Sequence, residues 1–451
     1  MEENGLKRTL GLFPLTNIVV ANMIGAGIFT TSGLLMQDLR NPLLMIALWI
    51  VGGIIALCGA LAYGELGAAI PKAGGEYIIL SQIYNPALGF LSGWVSFFVG
   101  FSAPIAASSI GFTEYFTRAF PGLLHLGIFG DSVEAAILKK IYAVLIIAIF
   151  TIIHMRGLKL GARIQNLLTV LKVGLISGLV IAAFISGNGS LLHLTQGDTF
   201  TFDFKGLKTV GLSLMWIMFA YSGWNASVYI GSEVKNPAKN LHRSLLLGTG
   251  IVVILYFCVN LFYVYAIPPR DMAGVISVGG LAAGNLFGKS FESILSMFIS
   301  FALFSSLSAY IILGPRVYYS MAKDRHFFKF ASDVHKKYSV PSKSILLQGG
   351  IAAVMVFFGT FDQLLTYMGF SLGIFPILAV MGVFKLRRSG RSVIKLPGFP
   401  VAPLLYSVIS IVILILSYFE RPVESSIAIG TALIGIPVYF IFKKKYRNNE
   451  S

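Results

Sequence analysis

The sequence predicts an all-α membrane protein with about twelve transmembrane helices, two of them discontinuous. Three observations lead to this fold class. Of the 451 residues, 56% are hydrophobic and only 12% are charged, and the mean hydropathy is +0.80. Apolar runs of roughly 20 residues, each long enough to cross about 30 Å of hydrocarbon, recur along the chain. Two of these runs are interrupted by glycines, one in each half of the chain.

The predicted spans follow one another without a separate soluble domain. The first two cover residues 15–35 and 43–70, and the others centre near Phe97, Leu145, Leu175, Met218, Ile254, Leu303, Val354, Phe375, Val412 and Ile434. We expect one transmembrane domain over residues 1–451, composed of a first repeat at 14–186, a second repeat at 206–388, two appended helices at 401–443 and a cytoplasmic tail at 444–451. Since five spans form the first repeat, the second begins on the opposite side of the membrane and is inverted.

The formal net charge of +16 is compatible with nucleic-acid binding, so the positions of the charges decide its meaning. With the N-terminus in the cytoplasm, roughly 24 basic residues face inward and about nine face outward. This distribution is the positive-inside bias of membrane proteins. We therefore predict a multi-pass protein of the cell membrane, surrounded by lipid, with both termini cytoplasmic and no nucleic-acid partner.

The first interruption is Gly25-Ala26-Gly27 in span one. Hydrocarbon cannot satisfy the backbone groups that a helix break frees, so such a break requires protein or a water-filled cavity around it. A half-helix that begins at Gly25 presents free N–H groups and a positive dipole end, which together bind an anion such as a carboxylate. A face for close helix packing is the alternative interpretation of these small residues.

The second interruption lies in span six, where Phe219 and Ala220 are followed by Ser222 and Gly223. The end of this half-helix leaves carbonyl oxygens free, and these suit an ammonium group. We predict that the carbonyls of Phe219, Ala220 and Ser222, together with that of Ile24, bind an amino group. An anion site that faces a cation site describes an α-amino acid.

Several motifs, taken in order, resemble the amino acid–polyamine–organocation superfamily and within it the L-type amino acid transporters. They are residues 24–29, 64–66, 71–77, 219–225, 233–237, 314–316, 319–324 and 360–365. The resemblance implies the inverted five-plus-five bundle of the bacterial leucine transporter and an amino acid substrate. It also implies that Phe219 closes over the substrate as a gate. Trp224 is a second gate candidate, with ordinary packing as the alternative. Ser222 departs from the Gly or Asp that L-type members often carry, which leaves the substrate side chain open.

Lys172 lies in span five, roughly two to three turns beyond Arg163, which is too deep for easy snorkelling. An intramembrane lysine is costly and indicates a function. Sodium-coupled members of this fold hold Na⁺ between spans one, five and eight, and in several sodium-independent members a span-five lysine replaces it. The resemblance therefore implies that Lys172 is a sodium substitute that contacts carbonyls near Gly25 and the hydroxyls of Ser305 and Ser306. A snorkelling lysine is the alternative.

Four further charged residues, Glu65, Glu76, Glu233 and Arg316, lie near predicted inner ends of spans. Interfacial charges are commoner there than gate ion pairs, and their pairing cannot be read from one sequence. The histidines are scattered without metal-binding spacing, and no nucleotide-binding or hydrolase motif appears. We expect no metal, no cofactor and no enzymatic activity.

The sequence thus predicts a secondary transporter that moves amino acids by alternating access, through sodium-independent exchange or proton-coupled uptake. A membrane sensor that binds amino acids without moving them is one alternative. A permease for polyamines or cationic amino acids is another. The particular amino acid, the oligomeric state and any accessory subunit stay open.

Overall fold

The computed structural model describes residue 8 and residues 10–124, 131–156, 158–335, 338, 340–358 and 361–447. Seventeen α-helices carry the regular structure of this part of the chain. They are α1 Leu12–Met23, α2 Ala26–Leu39, α3 Pro42–Ala69, α4 Glu76–Ile83, α5 Pro86–Val95, α6 Ala103–Ala119, α7 Asp131–Met155, α8 Leu158–Ser186, α9 Phe204–Ala220, α10 Pro237–Ala266, α11 Pro269–Met272, α12 Val278–Phe287, α13 Lys289–Lys323, α14 Ser342–Phe358, α15 Phe361–Arg388, α16 Val401–Glu420 and α17 Pro422–Arg447.

These helices confirm the predicted all-α membrane fold. Among the described residues, ten helical segments are long and apolar enough to cross a membrane, and each coincides with a predicted span. The two remaining spans correspond to α9 and α14, which have 17 residues each. Helix α9 is short because span six is discontinuous. The inverted relation between the two halves stays a prediction.

The helices divide into a buried centre and an apolar periphery. In the most apolar 18-residue stretch of the first span, 89% of the residues are buried inside the protein. The corresponding share is 28% in each of α7, α8 and α17. The outward side chains of these peripheral helices include Leu145, Ile181 and Ile434, which are more than half exposed. Such a continuous apolar surface marks contact with lipid. The interrupted first span therefore lies at the centre of the bundle, surrounded by protein as a helix break requires.

The first span is broken between α1 and α2. Helix α1 ends at Met23, Ile24 and Gly25 are not helical, and α2 begins at Ala26. Gly25 occupies the N-cap of α2 in an extended conformation, with φ −116° and ψ −157°. Because glycine has no side chain, this N-cap offers no side-chain oxygen to the N–H groups of the first turn.

The second break follows the last residue of α9, Ala220. Gly223 has φ +97°, a left-handed conformation that glycine adopts without steric cost. Two 3₁₀ turns, Ala226–Tyr229 and Gly231–Glu233, then lead into α10. The chain thus crosses this level of the bundle as a turn and two short helical pieces instead of one continuous helix.

The C-terminal boundary differs from the prediction. Helix α17 continues through Arg447, so the tail expected at 444–451 is helical in its first four residues. Lysine and arginine are good helix formers and are favoured near a helix C-terminus, so the end of the apolar run does not end the helix. Residues 448–451 lie outside the described part of the chain.

Glu65, Glu233 and Arg316 are buried in ion pairs, although the sequence favoured interfacial positions for them, and Arg387, the partner of Glu65, is partly buried. The Arg387 guanidinium donates from Nε and Nη2 to the two Glu65 carboxylate oxygens, each at 2.7 Å. Arg316 Nε donates to Glu233 Oε1 at 3.0 Å. The partner of Glu65 lies 322 positions away in the sequence, and only the fold brings it near. Glu76 is also buried, at 5% exposure.

The Glu65–Arg387 pair gives a stability prediction. Glu65→Gln leaves the Arg387 charge without its counter-ion in a largely buried site, which should lower the free energy of unfolding by about 3 kcal/mol. Thermal unfolding in detergent measures this loss as a lower melting temperature. Asp333→Asn is the matched control, because it removes the partner of Lys343 from an exposed pair, which contributes little. Equal shifts in the two variants would contradict the prediction.

Candidate substrate-binding site

The two helix breaks are in direct backbone contact. A Cβ atom placed on Gly27 would lie 2.6 Å from Ala220 Cα, and one placed on Gly223 would lie 2.7 Å from Asn22 Cβ. Both distances are too short for any side chain, so only glycine permits this approach. The structure therefore brings together residues that the sequence separates by almost 200 positions. The packing interpretation of Gly27 fits this contact, and a carboxylate role for its backbone stays a prediction.

Two tyrosines hold the carbonyl groups that the first break frees. The Tyr256 hydroxyl, from α10, lies within hydrogen-bond distance of Met23 O and, at 2.9 Å, of Ala220 O. The Tyr310 hydroxyl, from α13, donates to Asn22 O at 3.2 Å. Tyr256 thus connects the two breaks through a single hydroxyl. Satisfying these carbonyls with side chains is what allows irregular backbone at membrane depth.

The amide groups at the first break differ from the prediction in one respect. Gly25 N–H donates to Met23 O at 2.8 Å, inside the break itself. It is therefore occupied, whereas the sequence predicted a free donor there. Ala26 and Gly27 are the first two residues of α2, and residues at these positions have no intrahelical acceptor for their N–H groups. The predicted carboxylate role therefore concerns Ala26 and Gly27, and it stays a prediction.

The carbonyl groups also divide into occupied and partly occupied ones. Ile24 O accepts hydrogen bonds from Lys172 Nζ and from Ser306 Oγ, the latter at 2.7 Å. Both of its lone pairs are used, so it differs from the predicted ligand for an amino group. Phe219 O accepts from Ser222 N–H at 2.8 Å, and Ala220 O accepts from Tyr256. Phe219 O is also within reach of Tyr221 N–H, so of these two carbonyls it is Ala220 O that keeps a second lone pair.

Lys172 lies in α8 and contacts the first break, and its role as a sodium substitute stays a prediction. Its side chain is 2% exposed, and its ammonium group donates to Ile24 O and, at 3.0 Å, to Ser306 Oγ. It connects α8 to the first break and to α13, the predicted spans five, one and eight. The Ser305 hydroxyl lies 3.4 Å from Thr169 Oγ1 of α8, and its predicted part in the sodium-substitute site stays a prediction. An ammonium held by a carbonyl and a hydroxyl makes the contacts of a small bound cation, and the snorkelling alternative does not fit its burial.

A cavity lies beside the second break. Its wall includes Asn22, Glu76, Phe219, Ser222, Trp224 and Tyr310. Among the described residues that line the cavity, Gly25, Ala26 and Gly27 are absent. Gly25 is nevertheless close to the wall, because a Cβ atom placed on it would lie 3.8 Å from the hydroxyl of Tyr310, a lining residue. In this conformation, the Gly27–Ala220 contact closes the route from the cavity to the first turn of α2.

The two gate candidates have different surroundings. Phe219 is the second-last residue of α9, is 6% exposed and lines the cavity. Trp224 also lines it, but its ring packs edge-on against Tyr63 at 4.8 Å and against Tyr406 at 5.7 Å. These contacts fix the Trp224 ring and support its packing interpretation. The gate role of Phe219 stays a prediction.

Sequence reasoning missed the polar side chains that organise this site. Asn22, Tyr256, Tyr310 and Tyr406 are all buried, and each contacts a break or lines the cavity. A polar side chain at membrane depth is itself a signal. Tyrosine is a weak form of that signal, because its ring packs as readily as its hydroxyl bonds.

Comparison with known proteins gives a consistent result across the whole chain. The family model described as amino acid permease matches residues 10–442. The chain is 27% identical to the serine/threonine exchanger of Bacillus subtilis, over 98% of its own length and 99% of that protein. It is 24% identical to Asc-type amino acid transporter 1 of Mus musculus, over 98% of its own length and 82% of that protein. It is 26% identical to large neutral amino acids transporter small subunit 2 of Mus musculus over 97% and 81%.

The contact between the breaks predicts different outcomes for two glycine substitutions. Gly27→Val, and to a lesser degree Gly27→Ala, should separate α2 from α9 and lower amino acid uptake by at least about tenfold, because even one methyl group overlaps Ala220. Gly25→Ala should retain most of the uptake, since its nearest neighbour would be Ser306 Oγ at an ordinary 3.6 Å. Uptake per inserted protein in proteoliposomes measures both. A fully active Gly27→Val variant would refute this account of the contact.

Proposed function

The chain belongs to the amino acid permease family, and on that premise we propose that it is a sodium-independent secondary transporter that exchanges α-amino acids across the cell membrane. The observation that carries the proposal is the contact between the two breaks. It places the first turn of α2, a site for an anion, beside the carbonyl end of α9, a site for a cation. A zwitterion matches both.

The substrate carboxylate is assigned to the N–H groups of Ala26 and Gly27. They lie at the positive end of the α2 dipole, where an anion is stabilised, and no side chain of either residue blocks the backbone. The assignment requires α2 and α9 to move apart at the Gly27–Ala220 contact when substrate enters. This movement is the local step of alternating access.

The amino group is assigned to the carbonyl end of α9. Ala220 O has a free lone pair, whereas Phe219 O accepts from Ser222 N–H and Tyr221 N–H and would have to exchange one of them; Ser222 lines the adjacent cavity. Phe219 then lies directly beside the bound substrate, which supports its role as a gate. Ile24 O is excluded from this set because Lys172 and Ser306 use it.

Lys172 supports the sodium-independent part of the proposal. Its ammonium connects the first break to α13 without a metal ion, and a fixed positive charge repels a second cation from the same place. Exchange, as opposed to net uptake alone, is supported by the 27% identity to a protein named as an exchanger over nearly the whole of both chains.

The first test is a panel of labelled amino acids offered to proteoliposomes, with and without unlabelled amino acid inside. Exchange predicts that internal substrate accelerates uptake several-fold, because the loaded carrier returns faster than the empty one. Compounds that lack either the α-carboxylate or the α-amino group should compete weakly. Saturable binding without uptake would instead support a sensor, and strong competition by a plain diamine would support a polyamine permease.

The second test concerns Lys172. Replacement of Na⁺ by choline should leave wild-type uptake unchanged within about twofold, whereas Lys172→Ala should reduce turnover by about tenfold or more because Ile24 O loses a buried charged donor. Lys139→Ala is a matched control, since it removes a lysine that pairs with Glu114 in a partly exposed site. Uptake that collapses in choline, or a fully active Lys172→Ala variant, would contradict the assignment.

A further inference from the structure

Glu76 is a carboxylate in the wall of the substrate cavity. It is the first residue of α4 and follows Gly74 and Gly75, whose φ angles of +117° and +56° turn the chain so that Glu76 is 5% exposed. It lines the same cavity as Phe219 and Ser222. Neither the binding of carboxylate and amino groups nor the Lys172 contact uses it.

The groups that bind the Glu76 carboxylate are neutral. Tyr63 OH, from α3, and Asn225 Nδ2, from the second break, each donate to Oε1 at 2.8 Å. Tyr229, from the 3₁₀ turn after the break, also faces the carboxylate. These contacts connect the second break to two other elements through one titratable group. Movement of the break must therefore change the surroundings of Glu76.

The remaining titratable groups that face Glu76 are tyrosines. Tyr406 approaches it from α16, and Tyr318, from α13, lies behind Tyr229. Lys72 precedes it on the same loop but is exposed. Among the described residues, no cationic side chain forms an ion pair with Glu76, whereas Glu65 and Glu233 pair with arginines. A buried carboxylate with neutral partners gains or loses a proton more readily than one held by a guanidinium.

We propose that Glu76 is a proton-binding site of the transport cycle, so that protonation of its carboxylate controls the movement of the second break. One proton from water in the cavity adds to a carboxylate oxygen and gives the neutral acid, and the same proton returns to water when the acid ionises. No other bond changes. This inference rests on the proposed transport function and adds the proton as a second ligand of the cavity.

The direction of the effect follows from hydrogen-bond strength. Hydrogen bonds to an ionised carboxylate are roughly twice as strong as those to a neutral group. Ionised Glu76 therefore holds Asn225 firmly, and protonated Glu76 holds it weakly. Because the break must move during transport, protonation should accelerate the cycle. Transport should thus rise as the pH falls.

The experiment is counterflow, in proteoliposomes with equal pH on both sides, of the labelled amino acids of the uptake panel, varied from about pH 8 to about pH 5.5. The wild-type rate should rise by up to about tenfold per pH unit through the titration of Glu76, since one group binds one proton. Glu76→Gln, which resembles the protonated acid, should be fast and vary less than about twofold across the range. Glu76→Asp should keep a pH-dependent rate, with its pH profile displaced from that of the wild type. Glu114→Gln, which alters a carboxylate outside the cavity, should follow the wild type.

The outcomes separate this inference from the proposed function. Absence of wild-type counterflow at every pH would overturn transport itself. Counterflow with a flat wild-type pH profile, or a Glu76→Gln variant with the wild-type profile, would overturn only the role of Glu76. If Glu76→Gln does not fold, Glu76→Asp decides: a displaced pH profile supports the site, and a profile identical to the wild type overturns it.

Discussion

The backbone contact between the two helix breaks is the constraint on which the rest of the structure depends. Gly27 against Ala220 and Gly223 against Asn22 leave no space for a side chain. Both helices are interrupted beside this contact, so carbonyl and amide groups are freed at membrane depth. The buried tyrosines, Lys172 and Ser306 are the partners that these groups require. The polar interior of the bundle is therefore a consequence of one close contact.

Two isolated charges flank this contact, and their partners set them apart from the other buried charges. Lys172 is bound by a carbonyl and a hydroxyl, and Glu76 by neutral side chains. The carboxylates of Glu65 and Glu233, at the end of the bundle, have arginine partners. An ion pair fixes geometry, because separation of its members leaves an uncompensated buried charge. A charge held by neutral groups can exchange one set of partners for another at lower cost, which suits the region that moves.

The sequence predicted the fold and the location of the site, but only part of the contact pattern. Helix breaks at Gly25 and Gly223 are visible in the sequence because glycine is unusual in the middle of an apolar span, and the burial of Lys172 is visible because lysine is costly there. The hydrogen bonds that Gly25 N–H donates and that Ile24 O accepts are not visible in the sequence. They depend on the local backbone geometry and on Lys172 and Ser306, which only the fold brings near. The same holds for Arg387, which reaches Glu65 across 322 positions. The type of residue at each position can be read from the sequence, whereas the hydrogen-bond and ion-pair partners of that residue depend on tertiary packing.

The arrangement also explains why one lysine can serve in place of a metal ion. A cation at this place contacts Ile24 O and Ser306 Oγ together, and so adds to the direct hydrogen bonds that Ser306 and Tyr310 of α13 make to the first break. A metal ion would add this contact only at sufficient concentration. A covalently attached ammonium is always present, so no cation has to be bound from solution. The first break is then free to respond to the substrate alone, because no second binding step is needed to assemble the site.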